Sequence, residues 1–527
     1  MYTSMLSLAL VAGLVPAASA QIFRSLDGSG NHPVHTDWGA SGIALLRRAA
    51  VAYPDGIHAP AGTDRPSARF LSTALCRESL IPALNEANAS DMFWQWGQFL
   101  DHDLDLTPAD ANGASLDIPV PVGDPWFDPF ATGNQRLPFT RSVAVVDVNG
   151  VHQQVNFVTA FLDGSNVYGS DTARALALRT LDGTGRLLVD AADLLPRNTQ
   201  GIANEPSPFD PTMFLAGDVR STEQSGLAAM HTLWVREHNA IAAYWRARFP
   251  GASGDLVYEL SRALVVAELQ HITYSEFLPL LLGPTALAPY TGWQADVDPG
   301  IANEFSSVAY RFGHSMLSDH LLRLDSFSLP LPAGNLPLRD AFFNPTMLTH
   351  ASFGGIGPLL RGLSKQRARS VDSQIVSDVR NFLFGPPGAG GIDLASLNIQ
   401  RARDHGIPSY AELRGHYGLS VPVSFADIPA DTATRQRLAQ AYWLIDRVDP
   451  WIGAINESHV PGALVGELAH AILVDQFTRL RDGDRYWYAT YVPEPYRAYV
   501  ESQRLCDVLR RNTELDVELA DDVFRTF

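Results

Sequence analysis

The stretch "WQWGQFLDHDLDLTP", residues 94–108, sets Gln98, Asp101, His102, Asp103 and Asp105 among Trp94, Trp96, Phe99, Leu100, Leu104 and Leu106. An imidazole exchanges protons near neutral pH, and an amide beside it can hold a small polar molecule. Read as a helix, Gln98 and His102 stand at i and i+4 and share one face. Asp101 lies about 100° to one side of His102 around the axis, and Asp103 about 100° to the other. The helix thus aims a Gln–His pair at a reaction centre, with Asp101 at its edge, and turns Asp103 toward something else. Charges on a helix are commonly a solvated face. Here the interleaved apolar bulk argues for burial, and a buried acid requires a partner, a metal or a covalent fate.

Holding such a helix takes a large core. The chain has 527 residues and is 46% hydrophobic, enough apolar surface to fold and too little charge for disorder. Helical periodicity is clearest over 91–106, 222–248, 255–282, 303–324, 432–455, 462–480 and 494–511. Pro/Gly-rich connections cover 53–66, 119–129, 329–345 and 384–391, and the strand signal is local, as in "SVAVVDV" at 142–148. The expectation is one large, mainly α-helical domain over 21–527, with long ordered loops and little β structure. "PPGAGG" lacks the Lys-Ser/Thr and the preceding strand of a phosphate loop. A net charge of −18 argues against nucleic acid and against a polybasic membrane anchor. Lys365 is the only lysine. Residues 1–20, "MYTSMLSLALVAGLVPAASA", read as a secretory signal cut before Gln21. Its apolar run is shorter than the roughly 20 residues of a membrane span, and no later segment qualifies. A soluble exported protein is expected, extracellular or, in a bacterium, periplasmic. In an oxidising compartment Cys76 and Cys506 could bridge the two ends of the chain.

"WGQFLDHDLDLTP" resembles the distal segment of the animal-type haem peroxidases, the myeloperoxidase–lactoperoxidase–peroxidasin superfamily. The resemblance implies that His102 is the acid–base catalyst, that Gln98 holds water or peroxide beside it, that Asp101 forms an ester to a haem methyl and that Asp103 binds Ca²⁺. "TAFLDGSNVYGSD", 159–171, is similar to the family's calcium loop, where Thr159, Asp163 and Ser165 offer side-chain oxygens and Phe161 its carbonyl. Hard oxygen ligands suit Ca²⁺, although the loop alone reads better as an Asp-Gly turn without a metal. "GDVRSTEQSGLAAMHTLWVREHN", 217–239, resembles a second haem-contact segment, with Arg220 over the peroxide site and Glu223 as a second ester. Gln224 stands where myeloperoxidase has the Met of a third haem bond, which places the site nearer lactoperoxidase or peroxidasin. His231 and His238 match no catalytic position and read as packed histidines. "YRFGHSMLSDH", 310–320, resembles the proximal segment, with His314 as the iron ligand and Arg311 among the cofactor contacts. In "LNIQRARDHGIPSY", 397–410, Asn398 corresponds to the residue that accepts a hydrogen bond from the proximal His. Asp404 and His405 read as structural, and Asp105 as an ordinary polar residue near a helix end.

These motifs follow one another in the family's order between residues 94 and 410. They imply a haem b derivative, ester-linked through Asp101 and Glu223, and Ca²⁺. Hydrogen peroxide is then the oxidant, and a halide, thiocyanate or small phenolic donor is oxidised through an oxoferryl intermediate. Oligomeric state is left open. Two other readings stand beside this one. A cyclooxygenase-like fatty-acid dioxygenase carries a catalytic Tyr three residues before the proximal His, where this chain has Arg311, with Tyr310 displaced by one. A secreted adhesion protein with a vestigial haem site is the other; "RDGD" at 481–484 is not an Arg-Gly-Asp motif.

Overall fold

A computed structural model describes residues 22–207 and 209–526. The expected secretory segment lies outside the described residues. The rest is helix-dominated, with strands confined to short ribbons: β1 (Ile43–Ala44), β2 (Ala144–Val146) and β3 (His152–Asn156) form an antiparallel sheet in the order β1-β3-β2. The helices that concern the site are α1 (Ala68–Leu75), α2 (Asp91–Leu104), α3 (Ser225–Arg248), α4 (Gly254–Ile272), α5 (Leu278–Leu282), α6 (Asn303–Ser307), α7 (Leu394–Asp404), α8 (Thr432–Tyr442), α9 (Pro450–Ile455), α10 (Glu467–Asp482), α11 (Tyr496–Glu501) and α12 (Leu505–Asn512). Among the described residues no helix is long and apolar enough to cross a membrane.

The α2 helix runs through the core. Met92, Phe93, Trp94, Trp96, Phe99, Leu100 and Leu104 are all buried, so the helix is apolar on nearly every side. Trp96 and Phe99 pack on Trp234 of α3, with ring centroids 5.9 and 6.4 Å apart, and Phe93 stacks on Phe277 at 4.6 Å. The N-terminus of α3 is capped by Gln224, whose side chain accepts from Gly226 N at 2.6 Å.

Helix α4 continues through a π-helical turn at Thr273–Phe277 into α5, matching the expected span. Three other expected helices break. The 303–324 segment is helical only in α6, followed by a 3-10 turn at Ala309–Ser315 and a short strand at His320–Leu321. The helix ends at Val308, whose backbone leaves the helical region at φ −127° and ψ −74°, and beyond it Arg311 Nε donates back to Ser306 O at 2.9 Å. The 432–455 span divides into α8 and α9 at Trp443, which has φ of 60°, and α9 restarts at Pro450. The 494–511 span divides into α11 and α12.

Buried arginines order the long loops. Arg69 of α1 donates to Asp124 (2.8 Å), Asp393 (2.7 Å) and Asn381 (3.0 Å), tying three connections together. Asp393 also caps α7, accepting from Ala395 N and Ser396 N. The bridge between Cys76 and Cys506 is not formed; both thiols are free and buried, one at the end of α1 and the other in α12.

Candidate active site

Helix α2, the loop before α3, the 3-10 turn after α6 and the 379–405 region enclose a cavity of about 340 Å³. Gln98, Asp101, His102, Arg220, Glu223 and Gln224 line one part of it. Another part carries His314 and Arg311 among Leu317, Phe342, Val379, Leu383 and Leu394.

On the polar wall His102 is nearly enclosed, its side chain 3% exposed. Its Nδ1 faces Asp218 Oδ1 at 3.4 Å, which leaves Nε2 for the cavity, 3.7 Å from Glu223 Oε2. Burial, with Arg220 nearby, holds the ring well below its usual pKa, so it is a neutral base. Gln98 Nε2 donates to Glu223 Oε2 at 3.2 Å, while its Oε1 accepts from Gln224 Nε2 at 3.0 Å. Arg220 is gripped by Asp218, with Nε on Oδ1 and Nη2 on Oδ2 at 2.9 Å each, and Nη2 also donates to Asp105 O at 2.8 Å. Its Nη1 lies 3.5 Å from Asp101 Oδ2. Burial away from bulk water raises both Asp101 and Glu223 to about 7. Asp101 still exposes 33% of its side chain, to the cavity.

On the other wall His314 Nδ1 faces Asn398 Nδ2 at 2.8 Å, and Arg311 Nη1 donates to Asn398 Oδ1 at 3.0 Å. The Arg311 guanidinium occupies the amide oxygen, which leaves the NH₂ of Asn398 beside the imidazole. Burial and the Arg311 charge lower His314 to about 3, which keeps the imidazole neutral, as a metal ligand must be.

The family profile described as animal haem peroxidase matches residues 23–524. The chain belongs to the animal haem peroxidase family. It is 34% identical to peroxinectin A of Dictyostelium discoideum over 97% of each chain. It is 38% identical to human eosinophil peroxidase, over 88% of this chain and 71% of that protein. Drosophila melanogaster peroxidasin is 36% identical over 92% of this chain, which spans only 35% of that larger relative. In structure the chain is similar to peroxidase A from Dictyostelium discoideum, with a TM-score of 0.88, 33% identity and coverage of 96% of this chain and 100% of the other. A fatty acid alpha-dioxygenase of Arabidopsis thaliana shares the fold alone, with a TM-score of 0.79 at 20% identity over 96% of this chain and 83% of that one.

Membership in this family implies haem, and the cavity suits it. A neutral imidazole held by Asn398 stands in an apolar wall, and a His–Arg–Gln set with two cavity-facing carboxyls lines the polar one. The loop at 159–165 meets α2 from behind. Ser165 Oγ donates to Asp103 Oδ1 at 2.8 Å, the backbone N–H groups of Asp163 and Gly164 donate to Asp103 Oδ2 at 3.1 Å each, and Thr159 Oγ1 donates to Asp163 Oδ1 at 2.9 Å. Phe161 is buried in the same turn, with Arg24 over its ring. Asp163 Oδ2 is buried without a hydrogen-bond partner, and burial raises the pKa of both carboxyls. Two adjacent buried acids with an unmet oxygen fit a cation. Among the described residues no group of three or more His, Cys, Asp or Glu side chains is arranged for a metal. Any ion held here therefore needs the hydroxyls and carbonyls as well.

Two acids gain positions that the sequence reading did not give them. Asp218, unassigned in "GDVRSTEQ", stands between His102 and Arg220; its Asp-x-Arg spacing was the available signal. Gly217 seats it, because a Cβ there would come within 2.3 Å of Ser165 O. Asp105 is no ordinary helix-end residue: it is buried, lines the cavity and accepts from Ser306 Oγ at 2.5 Å. The packed histidines do sit in the core. His238 bonds Tyr168 Oη and Gly185 O at 3.0 Å each, and His405 bonds Ser142 Oγ and Asn303 Oδ1.

Proposed function

We propose that this peroxidase binds hydrogen peroxide against the His102 wall and uses it to oxidise halide or thiocyanate ions, or small phenols, at the haem cavity. The observation that carries the reading is the convergence of Gln98, His102 and Arg220 on the cavity that His314 also lines. Haem, when bound, supplies the electron chemistry between peroxide and donor. His314 is the residue to hold its iron, with Asn398 and Arg311 setting the ring's orientation. His102 takes a proton from peroxide at Nε2 and returns it to the departing oxygen. Gln98 orients the bound molecule, and the Arg220 charge stabilises negative charge as the O–O bond lengthens. Asp101 and Glu223, two of the three carboxyls at the cavity, would hold the group in place through ester bonds.

Asp103, Thr159, Asp163 and Ser165, with the Phe161 carbonyl, hold Ca²⁺ and pin α2 to the 159–165 loop. Residues 1–20 direct export, so the enzyme works outside the cytoplasm, with residues 21–527 as the mature domain. The test is an absorption spectrum of the purified protein before and after peroxide, followed by bromide and thiocyanate turnover. A Soret band that responds to peroxide, turnover of either anion, and no oxygen uptake with linoleate are expected. Oxygen uptake with the lipid and no anion turnover would refute the reading in favour of a dioxygenase.

A further inference from the structure

Tyr310 lines the cavity beside Arg311, and its buried hydroxyl has no hydrogen-bond partner. From it a row of touching rings leads outward. Tyr310 lies 5.9 Å from Phe477 between centroids, Phe477 lies 6.2 Å from Tyr274, Tyr274 lies 4.7 Å from Trp487, and Trp487 lies 5.1 Å from Tyr488. Tyr488 is half-buried at the surface, and its hydroxyl lies 3.2 Å from Nδ1 of the half-buried His271.

We propose that these rings conduct electrons from the surface to the cavity, and that Tyr488 with His271 forms a second oxidation site for phenolic groups on macromolecules too large to enter it. The proposal rests on the peroxidase reading above, which supplies the oxidant.

The ends of the row differ in what they do with a proton. A phenol loses an electron readily only when its proton has a base to receive it. Tyr310 has no acceptor, and Tyr274 donates to the carbonyl of Phe477, which is not a base. Those rings pass charge without keeping it. Tyr488 has an imidazole on its hydroxyl, and burial lowers the pKa of that imidazole and keeps it neutral and able to accept. Oxidation therefore comes to rest at the surface end. Tyr488 gives its electron inward through Trp487 and its proton to His271. A phenol on the macromolecule then returns an electron, His271 returns the proton, and the donor's own proton passes to water. Two such donors leave as phenoxyl radicals, and their two electrons and two protons reduce one hydrogen peroxide to two waters.

The experiment compares the holoenzyme with Tyr488→Phe and Trp487→Phe on three donors: bromide, free tyramine, and tyramine coupled to a large dextran. Freeze-quench EPR after peroxide without donor gives an independent readout. Wild type should oxidise all three donors and show a tyrosyl signal that Tyr488→Phe removes. Both variants should lose about tenfold in turnover of tyramine–dextran while bromide turnover stays within about twofold. Retained bromide turnover also shows that the variants are folded. Wild-type rates on tyramine–dextran in both variants, or a wild type that oxidises free tyramine but not the dextran conjugate, would overturn the surface site. A wild type inert toward both bromide and free tyramine would overturn the peroxidase reading instead.

Discussion

The wall that carries His102 and the wall that carries His314 treat charge in opposite ways. Around His102, the acids Asp101, Asp105, Asp218 and Glu223 gather about the guanidinium of Arg220, and burial leaves all of these acids raised except Asp218, which Arg220 and His102 pull down. Around His314 there is an amide, one arginine and a set of aliphatic and aromatic side chains. The first wall is suited to moving protons, because His102 is held neutral and able to accept one, beside Asp101 and Glu223, which are raised to about 7. The second is suited to holding one imidazole still, because Asn398 faces the ring and is itself held by Arg311. Two faces of one cavity thus differ in chemistry, one gathering titratable groups and the other setting a single imidazole among apolar side chains.

That division can be broken from either side. The largest effect is expected from a pair of substitutions. His314→Ala should abolish the Soret band of reconstituted protein, whereas His102→Ala should keep it and slow the reaction with peroxide by about 10²–10⁴-fold in stopped flow. Loss of the band in both variants would mean that the walls do not divide the work. Next comes Asp218→Asn, which leaves Arg220 and His102 without their shared carboxylate. Peroxide reactivity should fall by about 10²-fold through misplacement of both groups, and the broken buried pair should cost roughly 3 kcal/mol in denaturant unfolding. Burial alone would raise Asp218, but Arg220 and His102 hold it well below the usual carboxylate range. Its contribution is therefore full above pH ~4 and is lost as pH falls through the lowered value, and the variant should lack that acid dependence.

On the quieter wall, Asn398→Ala should cost about tenfold in activity and shift the Soret maximum, with haem still bound. An unshifted spectrum would show that the amide does not reach the iron ligand. The smallest effect belongs to Glu223→Gln in haem-free protein. Burial raises Glu223 to about 7, so the folded chain binds a proton that the unfolded chain releases near pH 4.5. Wild-type stability should fall as pH rises from about 4.5 to 7, by on the order of 1 kcal/mol more than in the variant. Equal slopes for the two proteins in urea titrations would place the Glu223 pKa elsewhere.

Much of the site was legible because its residues lie in short segments whose helical spacing is fixed by the backbone. Gln98 and His102 share a face at i and i+4, and Asp103 turns backward, as 3.6 residues per turn requires. The helical class was legible for the same reason, in the periodicity of 91–106 and 222–248. The local pattern failed in two ways. The 303–324 helix stops at Val308, whose backbone leaves the helical region, and Arg311, 87 positions from Asn398, occupies its amide oxygen.

The sequence by itself therefore determined the mainly helical class, the order of its chemical segments and the residue types at the cavity. The tertiary structure alone decided which of these groups share a partner. It set Asp218 between His102 and Arg220, drew Asp105 into the cavity, tied the amide of Asn398 to Arg311, and aligned Tyr310, Phe477, Tyr274, Trp487 and Tyr488 into one row. The physical reason is that backbone periodicity fixes directions only within an element. A hydrogen bond or a ring contact between elements depends on how the whole core packs.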